Sequence, residues 1–257
     1  MVLLVCFMII FSISLLRILF ISLSYSKDMA QYHLMEEWRT DGIPSSENSG
    51  SYKKEAQRLH KEKLQRLKEQ NEDFLGWLSI EGTRIHYPVM VSPYDAEFYL
   101  KRNFEKEYSR SGTPFAACEA TCQYSNLLIH GHNMKNGTMF SDLLQYREEG
   151  FCREHPVIVF ETPQEVYTYK IIAAFPVEIT SESGRSKFHC YDYAGELSKE
   201  LFETYIENVK TEALYDTGES IQYGERLLTL STCSYHAKNG RFVVVAQTFL
   251  EEGSDEG

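Results

Sequence analysis

Leu228-Thr229-Leu230-Ser231-Thr232-Cys233 is an apolar run rich in β-type residues that ends in a thiol. Eight residues later Arg241-Phe242-Val243-Val244-Val245-Ala246 begins a second such run with a guanidinium. The segment between them, residues 234–240, is long enough to join two adjacent antiparallel strands, with Cys233 and Arg241 near one rim. A third run far upstream, Asn126-Leu127-Leu128-Ile129-His130-Gly131-His132-Asn133, ends in histidines. A thiol, an imidazole and a guanidinium at strand ends are the parts of a cysteine transferase or hydrolase. A lone cysteine reads first as an inert core residue, because free Cys is among the most buried residue types; these neighbours reverse that reading.

The rest of the chain supports a β-rich fold around these runs. Residues 76–80 and 85–89 flank Glu81-Gly82-Thr83 in a hairpin-like arrangement. Further strands are expected at 113–117, 126–130, 156–161, 165–175, 177–180, 226–231 and 241–249. That makes about eight or nine short strands without a βαβ rhythm, so a closed barrel or sandwich is expected. Two helices interrupt them, at 139–147 and 195–210. In the second, Leu197, Leu201, Tyr205 and Val209 step by four, as a helix packed on the barrel flank requires. Upstream, a charged amphipathic helix over 52–71 carries Tyr52, Ala56, Leu59 and Leu67 on one face. A short helix near 29–39 and the linker-like Pro44-Ser45-Ser46-Glu47-Asn48-Ser49-Gly50-Ser51 precede it.

Residues 1–25 are almost wholly apolar or hydroxylic, with Arg17 the only charge. That is long enough to cross a bilayer, and no small-residue cleavage site follows it, so an uncleaved signal anchor is expected rather than a removed signal peptide. The expected division is an anchor at 1–25, a polar linker with N-terminal helices at 26–73, and a catalytic β-barrel at 74–257. The net charge of −11 argues against a nucleic-acid partner, which needs a basic face for phosphates. Of six cysteines, Cys6 lies in the apolar segment and five remain, too few for a disulfide scaffold and odd in number, so at least one thiol is free.

The chemistry follows from the residue types. A nucleophilic cysteine acts as the thiolate, which a nearby imidazolium or guanidinium favours. The histidine then returns a proton to a leaving amine, and a fixed guanidinium donates to a developing oxyanion. Three other readings compete. Cys118, Cys122, His130 and His132 are a conceivable zinc set, though not at a usual finger spacing, and Cys118 with Cys122 a conceivable disulfide. A papain-like peptidase would place Cys before His and start a helix at Cys. A catalytically idle, membrane-anchored barrel that only binds partners is the reading from another class.

At this point the motifs match a family. Leu127-Leu128-Ile129-His130-Gly131-His132-Asn133-Met134-Lys135-Asn136-Gly137-Thr138-Met139-Phe140 resembles the histidine segment of class B sortases. Thr229-Leu230-Ser231-Thr232-Cys233 resembles their cysteine motif, and Gly240-Arg241-Phe242-Val243-Val244 their arginine strand. The three occur in family order, and the resemblance runs from about residue 74 to residue 250. It implies a mainly β fold with added helices: a closed sortase-type β-barrel of about eight strands, an N-terminal helical extension and a helix before the cysteine strand. By the same resemblance His132 is the catalytic histidine, Cys233 the nucleophile and Arg241 the catalytic arginine, while Ser231 lines the substrate groove. No role transfers to His130, which reads as a strand residue facing the barrel or solvent. An acidic residue near the cysteine, seen in some relatives, has no counterpart, since Ser234 and Tyr235 follow it. The implied activity needs no metal or cofactor. It is transpeptidation of a surface protein's C-terminal sorting signal, cleaved after Thr through a thioacyl enzyme, onto an amine of the peptidoglycan cross-bridge. A pilin polymerase with a subunit lysine as acceptor, or a peptidase that only hydrolyses, is the alternative. The implied location is the cell membrane, crossed once, with the N-terminus inside and the catalytic domain outside.

Overall fold

The computed structural model describes residues 2–41, 50–116, 125–178, 188–234 and 240–249. Its centre is a closed barrel of eight strands: β1 (Phe74–Ser79), β2 (His86–Met90), β3 (Phe115–Ala116), β4 (Asn126–Gly131), β5 (Val157–Glu161), β6 (Val166–Glu178), β7 (Leu227–Cys233) and β8 (Gly240–Thr248). Around the barrel the order is β1-β2-β3-β4-β7-β8-β6-β5. Pairing is antiparallel except for β2 with β3 and β4 with β7. Period-two alternation decides what goes inside. Leu228, Leu230, Phe242, Val244 and Ala246 fill the lumen with Trp77, Ile129 and Phe160. Leu227, Val243 and Val245 face outward into a second core under a flanking helix, with Phe202, Tyr205 and Val209.

That helix, like several of the expected elements, differs in its bounds. It spans Lys199–Glu212 rather than starting at Gly195. Gly195 has φ +97° and exchanges backbone hydrogen bonds with Asn126, and the helix starts only where the Ser198 hydroxyl caps the Leu201 N–H. The two strands expected at 165–175 and 177–180 are the single strand β6. A bulge falls between Ile171 and Ala173, and Pro176 sits opposite Phe242. Beyond Lys170 β6 has lost β5 as a neighbour and pairs only with β8, an edge on which proline is tolerated. The helix expected at 139–147 is a 3-10 helix, Phe140–Arg147, followed by a short α-helix, Glu149–Glu154.

At the N-terminus an unbroken helix α1 (Val2–Thr40) crosses the boundary expected at residue 25. The sequence between those ends holds neither Gly nor Pro to stop it. Its first part is exposed apolar surface, long and apolar enough to cross a membrane. Its last part docks on the barrel through Met29, Tyr32, Met35 and Trp38, a helical stripe. Arg39 fastens the end, 2.6 Å from Glu161 and over the Trp77 ring. The following helix α2 (Gly50–Gln70) buries Leu64 and Leu67, so Leu64 joins the contact face while Leu59 is only half-buried; the Tyr52 side chain lies outside the described residues. So do the linker at 42–49, Cys118, Cys122 and Tyr235.

One buried polar cluster ties β4, β7 and the flanking helix together. Thr229 Oγ1 donates to Asn126 Oδ1 at 2.8 Å and accepts from Tyr205 OH at 2.6 Å. Asn126 Nδ2 donates to the Tyr193 carbonyl at 2.9 Å. Removing the amide strands a buried hydroxyl and a carbonyl. Asn126→Ala is therefore expected to lower unfolding stability by about 2–4 kcal/mol, read as a shifted urea midpoint at constant slope. A shift near zero contradicts this role for the cluster.

Candidate active site

Two pairings bring the three predicted groups to one rim of the barrel. In the antiparallel β7–β8 pair Cys233 lies directly opposite Arg241. In the parallel β4–β7 pair Gly131 lies opposite Thr232, so the chain leaves β4 at His132 at the level where β7 reaches Cys233. Two hydrogen bonds pin this junction: Thr232 Oγ1 donates to the Gly131 carbonyl at 2.8 Å, and Asn133 Nδ2 donates to the Cys233 carbonyl at 3.0 Å. Gly131 is required here by close approach, because a Cβ at that position would meet the Phe140 ring at 2.5 Å.

The alternation that sends Leu230 inward sends Ser231 and Cys233 outward, with His130 on β4 and Arg241 on β8 on the same face. Over them lies a cleft of about 370 Å³ lined by His130, His132, Tyr191, Ser231, Cys233 and Arg241, with Ala96, Glu97 and Leu100 on its far wall. All three predicted catalytic residues and Ser231 thus border one cavity. The Cys233 thiol is half-buried, while Cys152 and Cys190 are buried. Burial pushes the Cys190 thiol up to about 12 and raises Cys152 as well, which leaves both as packing groups.

His132 Nε2 lies 2.8 Å from the Leu100 carbonyl. A carbonyl only accepts, so Nε2 carries the hydrogen and Nδ1 is the nitrogen left to exchange a proton. Leu100 belongs to the 3-10 helix Phe98–Lys101, which therefore orients this imidazole. The loop after His132 is closed by the bond from Phe140 N to the His132 carbonyl at 2.8 Å. It turns through Met139, buried at φ 57° in a region that side chains other than glycine rarely adopt.

His130 does not face the lumen or open solvent, as the sequence suggested. It lies in the cleft between Phe115 and Tyr191, each ring centroid 5.5 Å away. Burial first, and the nearby Arg241 charge second, lower its pKa to about 4. Tyr191 was not foreseen. It arrives from the 3-10 helix Cys190–Tyr193 with no local pattern to mark it. Burial raises its phenol to about 12, while Ser231 and Arg241 act in the opposite direction. Asn133 stood in the histidine motif without a role. Among the described residues no three His, Cys, Asp or Glu side chains gather as metal ligands. The zinc and disulfide readings rest on Cys118 and Cys122, outside those residues.

Residues 78–249 match the Sortase domain family. Sortase B of Listeria monocytogenes is 32% identical over 72% of this chain and 73% of its own length, and sortase B of Staphylococcus aureus 26% identical over 70% and 72%. A cysteine-to-serine mutant form of Clostridium perfringens sortase B superposes with a TM-score of 0.66 at 28% identity, covering 77% of this chain and 91% of that one. A Staphylococcus aureus sortase B–substrate complex gives 0.62 at 25% identity over 74% and 85%. With a match over most of its length and an eight-stranded barrel of the same build, the chain belongs to the sortase family, on its class B branch, and is a cysteine transpeptidase.

Proposed function

We propose that Cys233 is the nucleophile, His132 the general acid and Arg241 the oxyanion donor of a transpeptidase that sorts surface proteins. The observation that carries this reading is the strand register, which pairs Gly131 with Thr232 one residue before His132 and Cys233 and sets Arg241 directly across from Cys233, so that all three border one cleft. The Cys233 thiolate attacks the carbonyl carbon after Thr in a C-terminal sorting signal. The Arg241 guanidinium donates to the oxyanion that forms. As the C–N bond breaks, His132 gives a proton from Nδ1 to the leaving amine, and a thioester remains on Sγ. An incoming amine from a peptidoglycan cross-bridge then attacks the thioester, loses a proton to His132 and expels the thiolate. Ser231 lines the groove for the sorting peptide. A lysine of a pilin subunit is the alternative acceptor. The apolar start of α1 anchors the enzyme in the cell membrane as a single span, N-terminus inside and barrel outside.

The surroundings of His130 support His132, rather than His130, as the proton donor. A histidine with a pKa near 4 is neutral at neutral pH. His132, hydrogen-bonded through Nε2 to the Leu100 carbonyl, is the imidazole assigned to the chemistry.

Two measurements check this assignment. With full-length enzyme in detergent and a fluorogenic sorting-signal peptide, Cys233→Ala is expected to lower turnover by at least about a thousandfold. An added amine should divert wild-type product from acid to amide. Turnover that survives Cys233→Ala, or product indifferent to amine, contradicts the transpeptidase assignment. The second measurement concerns pH. His130 has a folded pKa of about 4 against an ordinary value of 6.5, so the unfolded chain binds its proton first. The stability this lends is complete above about pH 6.5 and is lost as pH falls toward 4. Between about pH 7 and pH 4.5 the wild type should lose about 2 kcal/mol more unfolding free energy than His130→Gln. Equal losses would show that His130 is not held neutral.

A further inference from the structure

Helix α1 runs straight from the apolar segment onto the barrel, and this fixes which surface of the barrel lies nearest the membrane. At 1.5 Å per residue, about twenty residues cross the hydrocarbon core and the headgroup layer adds about 5–7 Å on each side. The apolar run ends at Tyr25, so Asp28 stands about 5 Å beyond it, at headgroup level. At that level one barrel segment is clamped to the helix. Ser109 Oγ donates to Asp28 Oδ2 at 2.6 Å, Lys27 pairs with Glu107 at 3.3 Å, and Tyr32 OH lies 2.8 Å from Thr113 Oγ1. Ile21, Ser24 and Tyr25 are already half-buried, so the domain overhangs the helix back into its apolar run.

The outward face of that segment has the character of a bilayer interface. Residues 101–110, Lys-Arg-Asn-Phe-Glu-Lys-Glu-Tyr-Ser-Arg, hold four basic against two acidic side chains, on a chain of net charge −11. Glu107 is engaged by Lys27, and Lys106 by Asp73 at 2.9 Å. Lys101, Arg102 and Arg110 are exposed and, among the described residues, form no ion pair. Tyr108 is 67% exposed. Tyrosine and cationic side chains together are the residues that settle at headgroups.

We propose that residues 101–110 are a second membrane contact, which lays Tyr108 into the headgroup layer and sets Lys101, Arg102 and Arg110 against anionic phospholipid headgroups. The proposal rests on the anchor reading of α1. Its consequence for the enzyme is direct, because the segment continues from Leu100, whose carbonyl holds His132, and from Ala96 and Glu97 on the wall of the cleft. The cleft then opens beside the lipid surface, and the element that orients the imidazole is itself seated on that surface.

Full-length Tyr108→Trp, reconstituted in vesicles of brominated phosphatidylcholine with or without phosphatidylglycerol, tests the contact; full-length Tyr223→Trp on the α-helical flank is the control. Emission added at position 108 should be quenched about twofold by the brominated lipid, more strongly with phosphatidylglycerol, and emission added at position 223 left unchanged. Lys101→Glu with Arg110→Glu should erase the gain from phosphatidylglycerol. Position 108 quenched no more than position 223, in vesicles that keep the protein through an alkaline wash, overturns the contact while leaving the anchor intact. Release of the protein by that wash overturns the anchor reading and the contact with it. Quenching indifferent to phosphatidylglycerol overturns the role given to the basic side chains.

Discussion

The parallel pairing of β4 with β7 is the constraint on which the site depends. Residues far apart in sequence meet there in a fixed register, and a slip of one residue would turn every side chain of a strand to the opposite face. The slip is resisted from both ends. At one end the Asn126–Thr229–Tyr205 cluster satisfies buried polar groups only in this alignment. At the other, Thr232 and Asn133 bond across to the Gly131 and Cys233 carbonyls. With the register held, Gly131 lies beside Thr232, one residue before His132 and Cys233, and β8 adds Arg241 opposite Cys233. Cys233, the proposed nucleophile, owes its setting to strand pairing, which suits chemistry that tolerates little misplacement.

The two histidines of the motif show how environment separates identical side chains. His130, within the strand, is stacked on Tyr191, has the tilted Phe115 ring on its other side, and is kept neutral by burial. His132, just past the strand end, is half-buried and held by the Leu100 carbonyl. Two residues apart, one is packed into the wall of the cleft and the other is oriented by the 3-10 helix Phe98–Lys101. The cysteines divide in the same way: Cys190 and Cys152 are packed away with raised pKa values, and Cys233 opens on the cleft.

Much of this is written locally. The alternation in β4, β7 and β8 identifies them as strands, and Cys233 with Arg241 at the two ends of a short connection already suggests neighbours. The barrel's closure is less local: β3, Phe115–Ala116 among the described residues, is recognised by its pairing with β2 and β4 rather than by any pattern of its own. Pro176 broke β6 in two on paper, because its one-sided pairing is a tertiary fact. The continuity of α1 past Tyr25 was readable in the absence of a breaker but masked by the change in composition. The place of His130 was not readable, since it depends on Tyr191 arriving from a distant 3-10 helix.

The central claim is that this register makes Cys233 the carrier of an acyl group. Intact-protein and peptide mass spectrometry of wild-type enzyme, quenched in acid during turnover of a sorting-signal peptide, tests it most directly. The account predicts an added acyl mass on the peptide containing Cys233, discharged when amine is supplied. An acyl group on Cys152 or Cys190, or product formed with no adduct on Cys233 at any time, would contradict it.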